Sequence, residues 1–227
     1  MPLQIESRQV GKITIIKCTG RIVAGEESQL LLQRVQRLIP SERYIVLNLG
    51  GIEFMDSSGL GMLVRLLTSL NNARGALKLS NVPDTIAHTL KITRLCAVLE
   101  AHLSDEEAVA ALYEGSTREM LRGGTPVVCI DRSSDVLAYL RELLRQAGFD
   151  PLTTDNLSDA RVLIRATKPA VVVMGWDIGT GDSGDGFRQA IASIPLLQLE
   201  QGFSTAEAGD GAQQLLEHLR AHTAKAS

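Results

Sequence analysis

The tightest constraint on this chain is a short apolar run that gives way almost at once to a helical repeat. Residues 44–49, YIVLNL, are nearly continuously apolar, as expected of a strand buried on both faces or central in a sheet. A short loop and the tetrad Asp56-Ser57-Ser58-Gly59 follow. Then LGMLVRLLTSLNNA places apolar residues at 60, 63, 66, 67 and 70, a helical spacing. The tetrad therefore marks a helix N-terminus. Ser57 or Ser58 can cap a free backbone N–H there, contributing roughly 0.5–2 kcal/mol over alanine. One hydroxyl is enough for a cap, and the capping box is incomplete, because position 61 is glycine rather than glutamate. A helix N-terminus also accommodates added negative charge, so a phosphate on Ser57 would leave the domain folded. Beside Asp56 it would make a dense anionic spot that repels a docked partner.

The flanking sequence completes an α/β pattern. LQIESRQ and KITIIKC read as strands joined by a hairpin at Val10-Gly11. GEESQLLLQRVQRLI puts Leu30, Leu31, Val35, Leu38 and Ile39 on one helical face, and Pro40 stops it. ALKLSNV gives another strand, PDTIAHTLKI a short helix opened by Pro83, and CAVLEAHL a last strand. Ser104 caps SDEEAVAAL, whose three leading acids suit the helix dipole. YEGSTREMLRGGTP, residues 113–126, ends in Gly-Gly-Thr-Pro and is the best candidate linker. After it strand and helix alternate again, through VVCI, SDVLAYLRELLRQAG, a strand near 150, SDARVLIRAT and AVVVMGW. A glycine-aspartate loop at 177–186 precedes FRQAIASI, PLLQLE and GAQQLLEHLRAH. Two α/β domains are expected, over 1–115 and 126–227 with a linker at 116–125, and 227 residues suffice for a core in each.

Composition narrows the function. A formal charge of −3, with neither half basic, argues against a nucleic-acid or acidic-membrane partner drawn in by bulk electrostatics. Cys18, Cys96 and Cys129 are far apart, odd in number and set in apolar runs, which points to buried reduced thiols and a cytoplasmic protein. The N-terminus is too polar for a signal peptide, and no apolar run is long enough to span a bilayer. No serine-hydrolase motif surrounds Ser57, and no Walker motif occurs. His218 and His222 share a helix face at i, i+4 but lack the glutamate of H-E-x-x-H, so a solvated face is expected rather than a metal site. The expectation is a non-enzymatic protein without cofactor or metal.

The array TGRI (19–22), IVLNLGGIEFMDSSGLGML (45–63), GALKLSN (75–81) and LKITRL (90–95) resembles a STAS domain, and more narrowly the bacterial anti-anti-sigma factors (anti-sigma factor antagonists). The resemblance covers about residues 3–112. It implies a small mixed sheet with helices on one side. It also implies that Ser57 is phosphorylated by an anti-sigma factor that is itself a serine kinase, with Asp56, Ser58 and Gly59 as neighbours in the docking surface. By the same resemblance the unphosphorylated form binds the anti-sigma factor and frees a sigma factor, and a serine phosphatase restores it. The interface would centre on the N-terminus of the 58–72 helix and the loops near 20–26 and 51–56. Family members often carry an aspartate in the loop after the second strand; here GRIVAGEE puts Val23 at that position, with Glu26 and Glu27 nearby.

The second half, roughly 125–222, resembles a flavodoxin-like response-regulator receiver domain, through VVCID, the helix ending RQAGF, KPAVVVM and DGF. A working receiver needs clustered acids for Mg²⁺, an aspartate to accept phosphate and a lysine to stabilise it. Asp131 matches one acid, but Arg132 adjoins it. The acceptor position falls on Gly175, or on Asp177 with a shift of two. Ala206 or Glu207 stands where the family has Lys-Pro. The region after 186 is short and leaves room for one helix fewer. A degenerate receiver retained for packing, dimerisation or docking is expected. GTGDSG (179–184) fits a dinucleotide-binding pattern, but Asp177, Asp182 and Asp185 would repel a pyrophosphate. The rival expectation is a non-catalytic scaffold or homodimerising protein, in which Ser57 is only a cap and the second half supplies the main interface.

Overall fold

The computed structural model describes residues 1–120, 124–179, 182–201, 203 and 208–223. Two compact units divide the chain, Met1–Leu112 and Tyr113–Ser227.

In the first unit, strands β1 (Gln4–Val10) and β2 (Ile13–Ile22) form the hairpin. Its turn sits at Gly11-Lys12, where Gly11 takes φ 61°, a backbone that side chains with a Cβ rarely adopt. Strands β3 (Tyr44–Met55), β4 (Ala76–Ser80) and β5 (Ala101–His102) extend the sheet in parallel, in the order β1-β2-β3-β4-β5. The sheet is mixed, with only β1 antiparallel. Helices α1 (Glu26–Leu38), α2 (Ser57–Asn72) and α3 (Asp84–Ile92) lie over one face. Leu31, Val35, Leu63, Leu66, Leu70 and Leu90 seal that face against Ile16, Cys18, Ile45, Leu47 and Leu79. The expected last strand is mostly absent. Arg94 takes a left-handed φ of 60°, a 3-10 turn occupies Leu95–Ala97, and only Ala101–His102 pairs with β4. Cys96, expected buried, is exposed on that turn, whereas Cys18 and Cys129 are buried. Burial pushes both buried thiols up to about 12, so neither is a thiolate at neutral pH.

The expectation of helices on one side of the sheet needs correction. Strand side chains alternate, so Arg8, Asn48 and Ser80 point away from the core just described. All three donate to Asp105, the first residue of α4 (Asp105–Met120): Arg8 Nη2 at 3.1 Å, Asn48 Nδ2 at 2.8 Å and Ser80 Oγ at 2.6 Å, joined by Asn81 Nδ2 at 3.2 Å. The start of α4 is thereby fixed to the second face. Its Ala108, Val109 and Leu112 are buried at helical spacing from Asp105, as are Val10, Ile13, Ile15 and Val46 on that face of the sheet. Ser104 caps α4 as expected, accepting from Glu107 N–H, while the Glu107 carboxylate accepts from Leu103 N–H. The helix continues to Met120, into the segment expected to be linker, of which 121–123 lie outside the described residues.

The second unit is a parallel sheet of β6 (Thr125–Ile130), β7 (Phe149–Thr154), β8 (Val171–Met174) and β9 (Leu196–Gln198), ordered β7-β6-β8-β9. This is a four-strand version of the doubly wound 2-1-3-4-5 order. Pro151 sits in β7, where an edge position lets its missing N–H go unmissed. Helices α5 (Ser134–Gln146) and α8 (Ala208–Thr223) share a core with Val127, Cys129, Val171 and Val173 through Leu140, Leu144, Leu215 and Leu219. The unit also contains α6 (Leu157–Thr167) and α7 (Asp182–Ala190). Helix α7 opens inside the glycine-aspartate run, five residues before Phe187, where the sequence pattern places a loop.

Asp105 accepts from four side chains, those of Arg8, Asn48, Ser80 and Asn81. Asp105→Ala leaves the amide of Asn48 and the hydroxyl of the fully buried Ser80 without their acceptor, a cost of roughly 1–3 kcal/mol. Amide hydrogen exchange across β3 and β4 should accelerate accordingly, by roughly tenfold to a hundredfold, with exchange in β6 and β8 unchanged.

Candidate functional site

The tetrad lies where β3 ends and α2 begins, with Ser57 as the first helical residue. The cap is Asp56, not either serine. Its backbone is extended (φ −91°, ψ −177°) and its Oδ1 accepts from Gly59 N–H at 2.9 Å. Aspartate and serine are near-equal N-caps, so tertiary context decides between them. Here the context is the β2–α1 loop, whose Ala24 N–H donates to Asp56 Oδ2 at 2.9 Å. The Asp56 N–H also donates to Ile22 O at 3.2 Å. One carboxylate thus closes α2 and holds the loops near 20–26 and 51–56 together. The N–H groups of Ala24 first, then Gly59 and Ser58, hold its carboxyl below the ordinary carboxylate range, against a smaller opposing effect of desolvation.

With Asp56 turned inward to these donors, both serine side chains are exposed. Gly59 is buried and its place admits little else. A Cβ there would lie 2.6 Å from Met55 Cγ and 2.8 Å from Ile22 O, so the glycine permits the close approach of α2 to β2. On one side of Asp56 is a shallow depression lined by Met1, Pro2, Arg21, Val23 and Phe54. Phe54 is 48% exposed, and the Arg21 guanidinium stacks over its ring at 5.1 Å. Val23 therefore lies in an aromatic and cationic setting. The side chains of Glu26 and Glu27 lie outside the described residues. On the other side is a trough of about 400 Å³ between α1 and α2, lined by Ala24, Gly25, Gln29, Leu32, Ser57, Ser58, Gly61, Met62 and Arg65. In the sequence, Arg21, Ala24 and Phe54 are marked only as members of the loops near 20–26 and 51–56, and Arg65 is not singled out. The i, i+3, i+7 spacing of Ser58, Gly61 and Arg65 is the one signal that could place them on a common stripe.

In the second unit Asp131 follows β6 and Gly175 follows β8, and these strands are neighbours. Such a carboxyl-end junction is where open α/β sheets place their ligands. Asp131 is 7% exposed, and its Oδ1 accepts from Ser133 N–H at 2.7 Å. Burial pushes its carboxyl up; the Ser133 N–H opposes this and the nearby Asp177 charge adds to it. A Cβ at Gly175 would fall 2.2 Å from Asp131 Oδ2. Asp177 is turned toward Arg132, 3.8 Å away. Gln198, at the end of β9, donates to Gly175 O and Trp176 O and accepts from Arg188. Residues 206 and 207 lie outside the described residues, as do 180 and 181 of the glycine-aspartate loop. His222 Nδ1 lies 2.8 Å from the His218 carbonyl oxygen, so that ring engages its own helix backbone. No group of three or more His, Cys, Asp or Glu able to hold a metal occurs among the described residues, and no helix among them is long and apolar enough to cross a membrane.

Residues 4–110 match the STAS domain model. The match spans the five-stranded sheet, α1 to α3 and the start of α4. The anti-sigma F factor antagonist of Paenibacillus polymyxa is 24% identical over 113 residues, which are 49% of this chain and 97% of that protein. Among solved structures, an anti-sigma factor antagonist from Mycobacterium paratuberculosis is 16% identical, covering 48% of this chain and 93% of its own, with a TM-score of 0.44. The Bacillus cell fate determinant SpoIIAA in its phosphorylated form is 21% identical, covering 48% of this chain and 97% of its own, with a TM-score of 0.40.

The Asp56 bridge makes stability pH-dependent. A carboxyl held below its unfolded value of about 3.9 contributes stability that is fully present above that pH and is lost as pH falls through the folded value. Melts of wild type and Asp56→Asn should therefore differ most at pH 6–7, and the gap should close as the pH drops below about 4.

Proposed function

We propose that the protein is an anti-sigma factor antagonist whose partner binding is switched by phosphorylation of Ser57. The observation that carries this reading is an exposed serine at the first position of α2, immediately after the aspartate that locks two loops together, inside a unit matching the STAS domain. Asp56 spends both its oxygens on backbone N–H groups, so the Ser57 hydroxyl projects from a fixed platform. An anti-sigma factor that is a serine kinase docks on this platform. The Ser57 Oγ–P bond forms as the β–γ bond of the kinase-held ATP breaks; ADP leaves, and the hydroxyl proton passes to a kinase base or to solvent. The added dianion beside a committed carboxylate repels the partner, and a serine phosphatase reverses the change. The protein is the substrate in this chemistry and supplies no catalyst.

The second unit is a receiver-like domain that has lost phosphotransfer. Its acceptor position is Gly175, and the room an acceptor Cβ would need is filled by the Asp131 carboxylate. Asp177 points to Arg132. With a small acyl phosphate and Mg²⁺, the full chain should take up no hydroxylamine-sensitive phosphate; labelling at Asp131 or Asp177 would contradict this reading.

The partner switch is tested by capture from the source cell's lysate with wild type, Ser57→Ala and Ser57→Asp, followed by titration against the captured kinase. Wild type and Ser57→Ala should retain it, and Ser57→Asp should bind at least tenfold more weakly. Equal affinity for all three would leave Ser57 as an exposed helix residue only, and the protein as a scaffold.

A further inference from the structure

We propose that Arg65 is the receptor for the phosphate on Ser57, holding it in the trough between α1 and α2. The proposal rests on the reading of Ser57 as the modified residue and adds where the new charge goes. A phosphate at the start of a helix ordinarily takes the free backbone N–H groups of the first turn. In this chain Asp56 already takes one of them, that of Gly59, and its other oxygen faces the β2–α1 loop. Its Oδ1 holds Gly59 N–H and its Oδ2 holds Ala24 N–H, both at 2.9 Å. Those bonds keep Asp56 ionised at neutral pH, so it also repels a neighbouring dianion. Repulsion by Asp56 therefore favours a phosphate turned toward a cation on the side away from it.

Ser57 lines the trough of about 400 Å³, and the cation that lines it with Ser57 is Arg65. Arg65 is exposed and, among the described residues, makes no ion pair or hydrogen bond that would compete. It lies two helical turns beyond Ser57 on α2, and side chains on a helix lean toward its N-terminus, which brings the guanidinium back along the trough. Gly61 lies between the serines and Arg65, and a Cβ there would meet no atom within 4 Å. Arg21, the other arginine near Asp56, lines the opposite depression and is stacked on Phe54. Modification thus fills the trough with a phosphate–guanidinium pair and removes it from the surface open to a partner, with the fold unchanged.

The test needs no partner. Phosphoserine is installed at position 57 of the full chain by genetic encoding, and its second ionisation is followed by phosphorus NMR in the wild-type background and with Arg65→Ala, Arg65→Lys and Arg21→Ala. A cation paired with the phosphate favours the dianion. Arg65→Ala should therefore raise the phosphate pKa by roughly half a unit or more, Arg65→Lys should restore part of the difference, and Arg21→Ala should leave it in place. Indistinguishable titrations with and without Arg65, or a shift produced by Arg21→Ala instead, would overturn the proposal. Both arginines are exposed and outside the apolar core, so the variants report on charge rather than folding. Failure to find Ser57 phosphorylated in cells would count against the partner switch, while the titration would still decide the role of Arg65.

Discussion

The surface at the start of α2 depends on one carboxylate bound to two backbone N–H groups. Asp56 closes the N-terminus of α2 through Gly59 and fastens the β2–α1 loop through Ala24, so elements more than thirty residues apart in sequence meet at fixed spacing. Remove either bond and Ser57 no longer stands on a defined platform. The arrangement also sets the direction of everything around it. The aspartate faces inward to donors, the serines face outward to solvent, and the absent side chain of Gly59 lets the helix come close enough to Ile22 for the bond to Ala24 to form. A charged cap on a rigid strand-to-helix turn is well suited to a switch, because a change of charge beside it alters what the surface attracts without altering what the core packs.

Much of this was legible in the sequence, and the misreadings share a cause. The buried run at 44–49, the amphipathic α2 and the hairpin follow from apolar periodicity, which reports how much of a segment is covered. Periodicity does not report what does the covering. The residues of α4 showed a helix with a good cap, but only the convergence of Arg8, Asn48, Ser80 and Asn81 on Asp105 puts its start on the second face of the sheet. The near-continuous apolar run ITIIKC in β2 was a sign that both faces there would be buried, since an open face would have alternated. CAVLEAHL misled in the opposite way. Its apolar content is strand-like, yet the left-handed Arg94 starts a tight turn and leaves Val98 53% exposed. The choice of cap was not decidable locally, because Asp56, Ser57 and Ser58 have similar intrinsic preference, and the deciding donor comes from residue 24.

The two units hold their aspartates in opposite electrostatic circumstances. Asp56 gathers N–H donors at a solvent-facing turn, and its charged form is favoured. Asp131 is buried at the end of β6, takes one N–H from Ser133, and faces Asp177; its charged form is disfavoured. A group entering beside Asp56 finds a trough with a bare glycine and an arginine. A group entering beside Asp131 finds little room at Gly175, because Asp131 Oδ2 lies 2.2 Å from where a Cβ there would be. A second anion brought there would meet a carboxylate already under desolvation strain, with Arg132 engaged by Asp177. An added charge is therefore accommodated more readily at the α2 terminus than at the carboxyl edge of the second sheet.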